Sequence, residues 1–199
     1  MAAASTETAA TAAFRIVPKS ALALIPPESF WPEIQAIRKV HDKQFARWMP
    51  HINVLYPFFE DTNESFDVAA DLLRPLCTNI QPIGLKFDGA SFSYFLHGKS
   101  ATLLLEPSEE LSEILRERVH KPTQELFPTA GDTRFPVFKP HLSLGQFQPN
   151  AVEKFKVQFS NDWKQRAVQI DWQLDQLHLI SRKDFDDPFH VRKTVKFGQ

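Results

Sequence analysis

The 199 residues carry 23 Lys+Arg against 24 Asp+Glu, a formal net charge of -1, 43% hydrophobic side chains and a mostly phenylalanine aromatic share of 12%. That length suits one domain or two small lobes sharing a core, and the balanced charge cannot hold a long nucleic-acid duplex, so a phosphate-bearing partner must be gripped locally. The single cysteine, Cys77, excludes an internal disulfide framework and every cysteine-based zinc cluster, and fits a reducing compartment.

Residues 1–13 are nearly all Ala, Ser and Thr, with neither the basic nor the apolar stretch of a secretory signal, and read as a disordered tail. The longest apolar run, Ala21 to Pro27, is far short of the ~20 residues of a membrane-spanning helix. A cytoplasmic or nuclear protein without membrane partners is expected. Asn63-Glu64-Ser65 matches a glycosylation pattern that carries no weight without a secretion signal. From Phe14 onward no linker, low-complexity block or charge run divides the chain, so residues 14–199 are expected to form a single domain, and a monomer.

Within that domain Ser20 to Ile25 predicts a strand. Ile34, Ile37, His41, Phe45 and Trp48 recur at helical spacing and predict about four helical turns ending at Pro50. His51 to Phe58 alternates as a strand does, and Phe66 to Cys77 marks a second helix. Strands follow at Ile83–Phe87, Ser91–Leu96 and Thr102–Leu105. Glu109 to Leu126 is helical until Pro122 disturbs it, and Thr129–Pro140 has the Gly and Pro content of a long loop. Asn150 to Trp163 fits a helix better than a strand. Two alternating runs, Trp172–Ile180 and His190–Phe197, flank an Asp-rich turn at Asp184–Pro188. Strands and helices mixed in both halves predict an α+β fold with largely antiparallel sheet.

The chemistry lies in an internal repeat. Pro50-His51-Ile52-Asn53-Val54 recurs as Pro140-His141-Leu142-Ser143-Leu144, with the histidines 90 residues apart (141 − 51). Alternation on a strand with one buried face puts His51 with Asn53, and His141 with Ser143, on the opposite face. Two such strands packed side by side would gather all four in one cleft. Two imidazoles that titrate near neutrality can take a proton from an attacking oxygen and give one to a leaving oxygen. The amide and hydroxyl beside them can bind a phosphoryl oxygen.

These motifs resemble the paired His-x-Thr/Ser-x motifs of the 2H phosphoesterase superfamily, which includes 2′,3′-cyclic phosphodiesterases and 2′-5′ RNA ligase-like proteins. The resemblance extends from about Ala21 to Phe197. It implies a bilobal α+β fold, two similar lobes with antiparallel sheets around a central cleft. It also implies phosphodiester chemistry without a metal or cofactor, on a nucleotide cyclic phosphate or a short RNA end. The residues it assigns are His51 and His141 as acid and base, with Asn53 and Ser143 as phosphate contacts. Asn53 departs from the pattern, standing where Thr or Ser is usual, and its larger planar head shifts where a phosphoryl group sits. A transesterase in which a ribose hydroxyl replaces water is one alternative. A non-catalytic RNA- or nucleotide-binding module is the other.

Tyr56 and Tyr94 are candidates for base stacking, since their hydroxyls tolerate a wet cleft. Phe58, Phe92, Phe95 and Phe147 also lie near the motifs, although most phenylalanines should be core. Arg47, Lys99, Arg134, Lys139, Arg182 and Lys183 are basic residues near the expected mouth. His41, beside Asp42, reads as a packed helix histidine and His178 as a core-edge strand residue. His97, His120 and His190 read as turn or surface residues. Gly98-Lys99-Ser100 is no phosphate loop, because Ser93 stands where its first glycine is required.

Overall fold

The computed structural model describes residues 13–132 and 137–198. The 1–12 part of the expected tail and Arg134 lie outside the described residues. The strands are β1 (Ile16–Val17), β2 (Ser20–Leu24), β3 (Ile52–Leu55), β4 (Phe58–Phe59), β5 (Ile83–Phe87), β6 (Phe92–His97), β7 (Ser100–Leu105), β8 (Leu142–Phe147), β9 (Ile170–Leu174), β10 (Gln176–Ser181) and β11 (His190–Lys196). Five helices accompany them: α1 (Trp31–His41), α2 (Glu64–Thr78), α3 (Glu109–Leu115), α4 (Lys121–Leu126) and α5 (Val152–Gln165). A π-helical turn, Arg116–His120, joins α3 to α4. No described helix is long and apolar enough to cross a membrane.

All strand pairs are antiparallel. One sheet runs β11-β10-β2-β3 and another β6-β7-β8, so each repeat motif opens onto an edge strand, β3 or β8. The order β2, α1, β3, α2, β5 recurs as β7, α3–α4, β8, α5, β9, and the closing strands β5 and β9 pair with each other. The two halves interlock: α1 of the first packs against β8 of the second, while the π turn of the second reaches β3 of the first. Because of that exchange one core runs from Leu22 and Ile52 to Leu103 and Leu142, and the α+β bilobal fold expected from the motifs is present.

Three elements depart from the sequence pattern. The first helix ends at His41, two turns before Trp48. Asp42 is extended, its Oδ1 accepts the Gln44 N–H at 2.9 Å, and Gln146 Oε1 accepts the Lys43 N–H at 2.9 Å. Donors that would have continued the helix are thereby taken. Pro122 does not end its helix: it sits in the first turn of α4, and its clash with the carbonyl four residues back falls on Arg118, inside the widened π turn. The run Trp172–Ile180 divides at Asp175, where β9 leaves for β5 and β10 joins β2 and β11. The apolar phase slips by one residue there, from Ile170, Trp172 and Leu174 in β9 to Leu177 and Leu179 in β10.

The junction between α1 and β8 is close. A methyl group at Gly145 would meet His41 Cβ at 2.7 Å and its carbonyl oxygen at 2.8 Å, so only glycine lets the strand edge reach the helix end. Here lies a buried ion pair, with Arg38 Nη2 2.7 Å from Asp42 Oδ2 and both side chains 2% exposed. Arg38 also donates to the Trp48 carbonyl at 2.8 Å and to Gln35 Oε1 at 3.1 Å, and Gln146 Nε2 donates to Asp42 Oδ1 at 3.2 Å. Removing one partner strands a buried charge, which costs about 3–5 kcal/mol. Arg38→Met is expected to lower unfolding free energy in urea by that amount; a loss under about 1 kcal/mol would refute the role given to the pair.

Candidate active site

His51 immediately precedes β3 and His141 immediately precedes β8. Each is half-buried, and each imidazole is tied back in the same way: His51 Nδ1 to the Met49 carbonyl at 2.7 Å, His141 Nδ1 to the Lys139 carbonyl at 2.8 Å. A carbonyl only accepts, so both rings carry their proton on Nδ1 when neutral, and Nε2 is left for a ligand. Pro50 and Pro140 supply the fixed φ that turns the chain over each carbonyl. Asn53 and Ser143 are the half-buried positions two residues on, between buried aliphatics. A charge on His141 lowers the His51 pKa, after burial and Arg38.

Cross-strand register extends each motif. In the first sheet Asn53 lies opposite Ala23, Ala23 opposite His178, and His178 opposite Thr194, whose Oγ1 is 3.1 Å from His178 Nδ1. His178 is thus buried, as expected of a core-edge residue, yet on the same sheet face as Asn53. In the second sheet Ser143 lies opposite Leu104, and Gln146 opposite Thr102 and then Phe95. Asn53 Oδ1 is buried without a hydrogen-bond partner.

Aromatic contacts distinguish the two imidazoles. His51 stacks on Trp48 (4.5 Å, 14°), Trp48 stacks on Phe189 (3.7 Å, 25°), and the Arg182 guanidinium lies 4.7 Å from the Phe189 centroid. His141 meets Phe95 edge-on (5.1 Å, 88°), with the Lys139 ammonium 5.9 Å from that ring. Both sites therefore run from imidazole through aromatic to cation, with two rings in the first and one in the second. Tyr56 belongs to the first group: it meets Trp48 edge-on at 5.4 Å and donates to the Pro18 carbonyl. Tyr94 does not share the face of Phe95, because alternation on β6 turns it toward α5, where Lys156 lies over its ring. From the sequence Trp48 was read only as part of a helical stripe, and Phe95 as one of several phenylalanines near the motifs, with the tyrosines preferred for contact.

The remaining basic and histidine residues fall into place around these groups. Arg47 reaches Asp186 and the Phe185 carbonyl, and Lys183 offers its carbonyl to Lys19. Lys99 sits in the exposed β6–β7 turn. His41 packs among Phe147, Phe155 and Phe159, as a helix histidine should. His97 and His190 are exposed, whereas His120 is half-buried and stacked on Phe138 at 4.2 Å, so a plain surface reading fails for it. An open hollow of about 560 Å³ lies between α1 and α5, where its charged lining residues Glu33, Asp162 and Arg166 pair with one another.

Burial pushes the His51 pKa down to about 4, helped by Arg38 and His141 and opposed by the Met49 carbonyl and Asp42. Burial also lowers His141, against which the Lys139 carbonyl and Glu106 pull upward. His178 falls to about 4 for the same first reason, opposed by Asp175. These histidines are neutral in the folded protein at pH 7. An unfolded histidine binds its proton near 6.5, so below that pH the unfolded chain takes up protons that the folded one refuses. Stability is complete above about pH 6.5 and declines as pH falls toward about 4. Urea midpoints measured from pH 7 to 4 should fall, and His178→Gln should make the fall shallower; a flat profile would contradict the burial of these rings.

The sequence of residues 26–186 matches the family model of the 2'-5' RNA ligase superfamily. A Geobacillus kaustophilus protein, named provisionally as a phosphoesterase, is 30% identical over 162 residues, covering 81% of this chain and 87% of its own. A similarly named Staphylococcus epidermidis protein is 28% identical over 184 residues, covering 89% and 98%. Among solved structures, E. coli LigT complexed with 3'-AMP superposes with a TM-score of 0.53 at 14% identity, covering 92% of this chain and 99% of that one. Kluyveromyces marxianus Usb1 with uridine monophosphate gives 0.51 at 13%, covering 90% and 99%. Sequence and fold agree, and the chain belongs to the 2'-5' RNA ligase superfamily of 2H phosphoesterases.

Proposed function

We propose that this phosphoesterase hydrolyses a 2′,3′-cyclic phosphate or a short RNA-terminal phosphodiester in line between His51 and His141, without a metal. The observation that carries this is the matched pair of imidazoles, each fixed through Nδ1–H to the carbonyl two residues earlier and each free at Nε2. Electrostatics divides the roles. Arg38 works against a proton on His51, while Glu106 favours one on His141. His51 Nε2 therefore takes the proton of the attacking water as its oxygen bonds to phosphorus. The P–O bond to the leaving ribose oxygen breaks, and that oxygen receives the proton from His141 Nε2. Exchange with solvent then resets both rings. Ser143 Oγ and Asn53 Nδ2 donate to the non-bridging oxygens.

His51→Ala and His141→Ala should each lower kcat by ~10²–10⁴-fold on uridine or adenosine 2′,3′-cyclic phosphate, with EDTA present and the fold retained by circular dichroism. Near-normal rates in both variants would end the assignment. The free-protein profile, kcat/KM against pH, should rise through about 4 as His51 loses its proton. It should fall again below about 6.5, the ordinary histidine value, as His141 loses its own, because burial lowers that group. An optimum above pH 7.5 would reverse the roles or reject them.

Asn53 supplies the one observation in favour of a second reading. Its Oδ1 is a buried acceptor without a partner, an awkward neighbour for a phosphate anion unless Nδ2 is the atom presented. With Nδ2 donating, Asn53→Ala should cost ~10–100-fold in kcat/KM, about 1–3 kcal/mol, and Asn53→Thr should retain or raise activity. A native protein inert on every phosphodiester tried, which gains turnover only as Asn53→Thr, would instead be a nucleotide-binding module.

A further inference from the structure

The internal repeat reaches beyond the two histidine motifs. Leu24-Ile25-Pro26, where β2 ends, recurs as Leu105-Glu106-Pro107, where β7 ends. Register makes these segments the cross-strand neighbours of the motifs, because Leu24 pairs with Ile52 and Leu105 with Leu142. One residue further along each antiparallel pair, Ile25 comes opposite His51 and Glu106 comes opposite His141. The chain of β7 stays extended through that position, since the Glu106 N–H donates to the Ser91 carbonyl at 2.8 Å, one step past the pairing of Phe92 with Leu105. Side chains directly opposite on one sheet face have Cβ atoms about 4.5–5.5 Å apart. Each imidazole therefore has one such neighbour, a hydrocarbon in the first half and a carboxylate in the second.

The other charged groups around the two rings do not make this difference. Burial lowers the His141 pKa, the Lys139 carbonyl and Glu106 oppose it, and His97 on β6 adds to the lowering; among these described groups Glu106 is the sole carboxylate. The Lys139 ammonium lies over the Phe95 ring, and Arg116, from the π turn, is engaged by the Phe138 carbonyl, Glu109 and Glu113. Glu106 is half-buried and forms no ion pair of its own among the described residues, so no cation neutralises it. Around His51, Arg38 and Asp42 act in opposite directions and are already paired with each other. Ile25 brings no charge there and packs against Ala23 and Phe189. The carbonyl tie at Nδ1 is common to both rings and cannot tell them apart.

We propose that Glu106 is a positioning residue that holds the proton on His141, and that this one place in the repeat, glutamate in the second half and Ile25 in the first, decides which histidine is the acid. The word acid rests on the hydrolase reading above; the hold of Glu106 on the His141 proton does not. An anion beside an imidazole favours its charged form, and a hydrocarbon in the same place favours the neutral one. The direction of proton flow between two otherwise matched motifs is thus set from the neighbouring strands, by residues that need not touch the substrate.

NMR titration of the imidazole C–H signals, assigned through His51→Ala and His141→Ala, tests this without turnover. Glu106→Gln should lower the His141 pKa by about 1 pH unit, the low end of what a nearby opposite charge supplies, and leave His51 in place. Glu106→Asp should keep most of the native value. The falling limb of kcat/KM should move to lower pH in Glu106→Gln by the same amount, because His141 then gives up its proton sooner. Exchanging the two residues, Ile25→Glu with Glu106→Ile, should put the higher pKa on His51; should the exchanged protein not fold, the two variants at half-buried Glu106 carry the test. A His141 titration unchanged in Glu106→Gln would overturn the proposal, and if hydrolysis were still lost in His51→Ala the hydrolase reading would stand without it. An equal fall at both histidines would overturn it as well, since that is what a merely structural residue would cause. A fall confined to His141, in a protein that hydrolyses no phosphodiester, would support the hold of Glu106 and refute the hydrolase.

Discussion

The site depends on the buried pair Arg38–Asp42. A charge pair with both side chains 2% exposed is tolerable only if its remaining hydrogen-bonding capacity is met, and here each added bond is also a structural tie. Arg38 holds the Trp48 carbonyl and so the strap that carries Met49, whose own carbonyl orients His51. Asp42 stops α1 through Gln44 and reaches β8 through Gln146. One ion pair thereby joins the first helix, the approach to the first motif and the strand of the second. It also acts at a distance, since Arg38 lowers and Asp42 raises the pKa of His51.

Around that tie, approximate symmetry produces sameness where the chemistry needs it and difference where the chemistry needs that. Proline, the fixed Nδ1 tautomer and a small polar residue two positions on are common to both motifs. What differs is the surroundings. His51 has a parallel indole and a nearby guanidinium, whereas His141 has an aromatic edge and the Glu106 carboxylate. The proposed acid and base must begin in opposite protonation states, and two identical environments could not provide them. The interlocked helices matter here too, because each motif strand is packed by a helix of the other half and the spacing of the two rings is set by the shared core.

Much of the fold was legible. The alternating strands, the helices α2 and α5 and the α+β class followed from periodicity, and the repeat located both histidines. What escaped notice depends on contacts distant in sequence. Gln146 takes a donor of a turn 103 residues away, so the end of α1 could not be read from the apolar stripe that continues to Trp48. The switch of sheets at Asp175 shows in the sequence only as a one-residue slip of the apolar phase, from Leu174 to Leu177, and does not by itself say which strand each half will pair with. Tyr94 and Phe95 differ by one residue and hence by a whole sheet face; the strand was clear, but its register against α5 and β7 was not. His178 was read as a core-edge residue, which its burial supports, but only the pairing of β10 with β2 discloses that its face is also that of Asn53.

Among the described residues two buried side-chain polar atoms have no partner, Asn53 Oδ1 and Arg182 Nε, and both belong to the first lobe. A buried group left unpaired costs about 1–3 kcal/mol, a cost that the packing of the Trp48–Phe189 stack does not itself require. Arg182 spends its other donors on the Phe185 and Pro18 carbonyls and its face on two phenyl rings. It is therefore a buttress beneath Phe189 and not a free cation for phosphate. Asn53 is different. Its neighbour across the sheet is Ala23, which is itself fully buried and apolar, so its carboxamide oxygen meets no donor there. An asparagine in place of the usual Thr or Ser thus brings a buried acceptor with no partner along with its donor, a cost that the Ser143 hydroxyl does not incur, and this sets the first motif apart from the second.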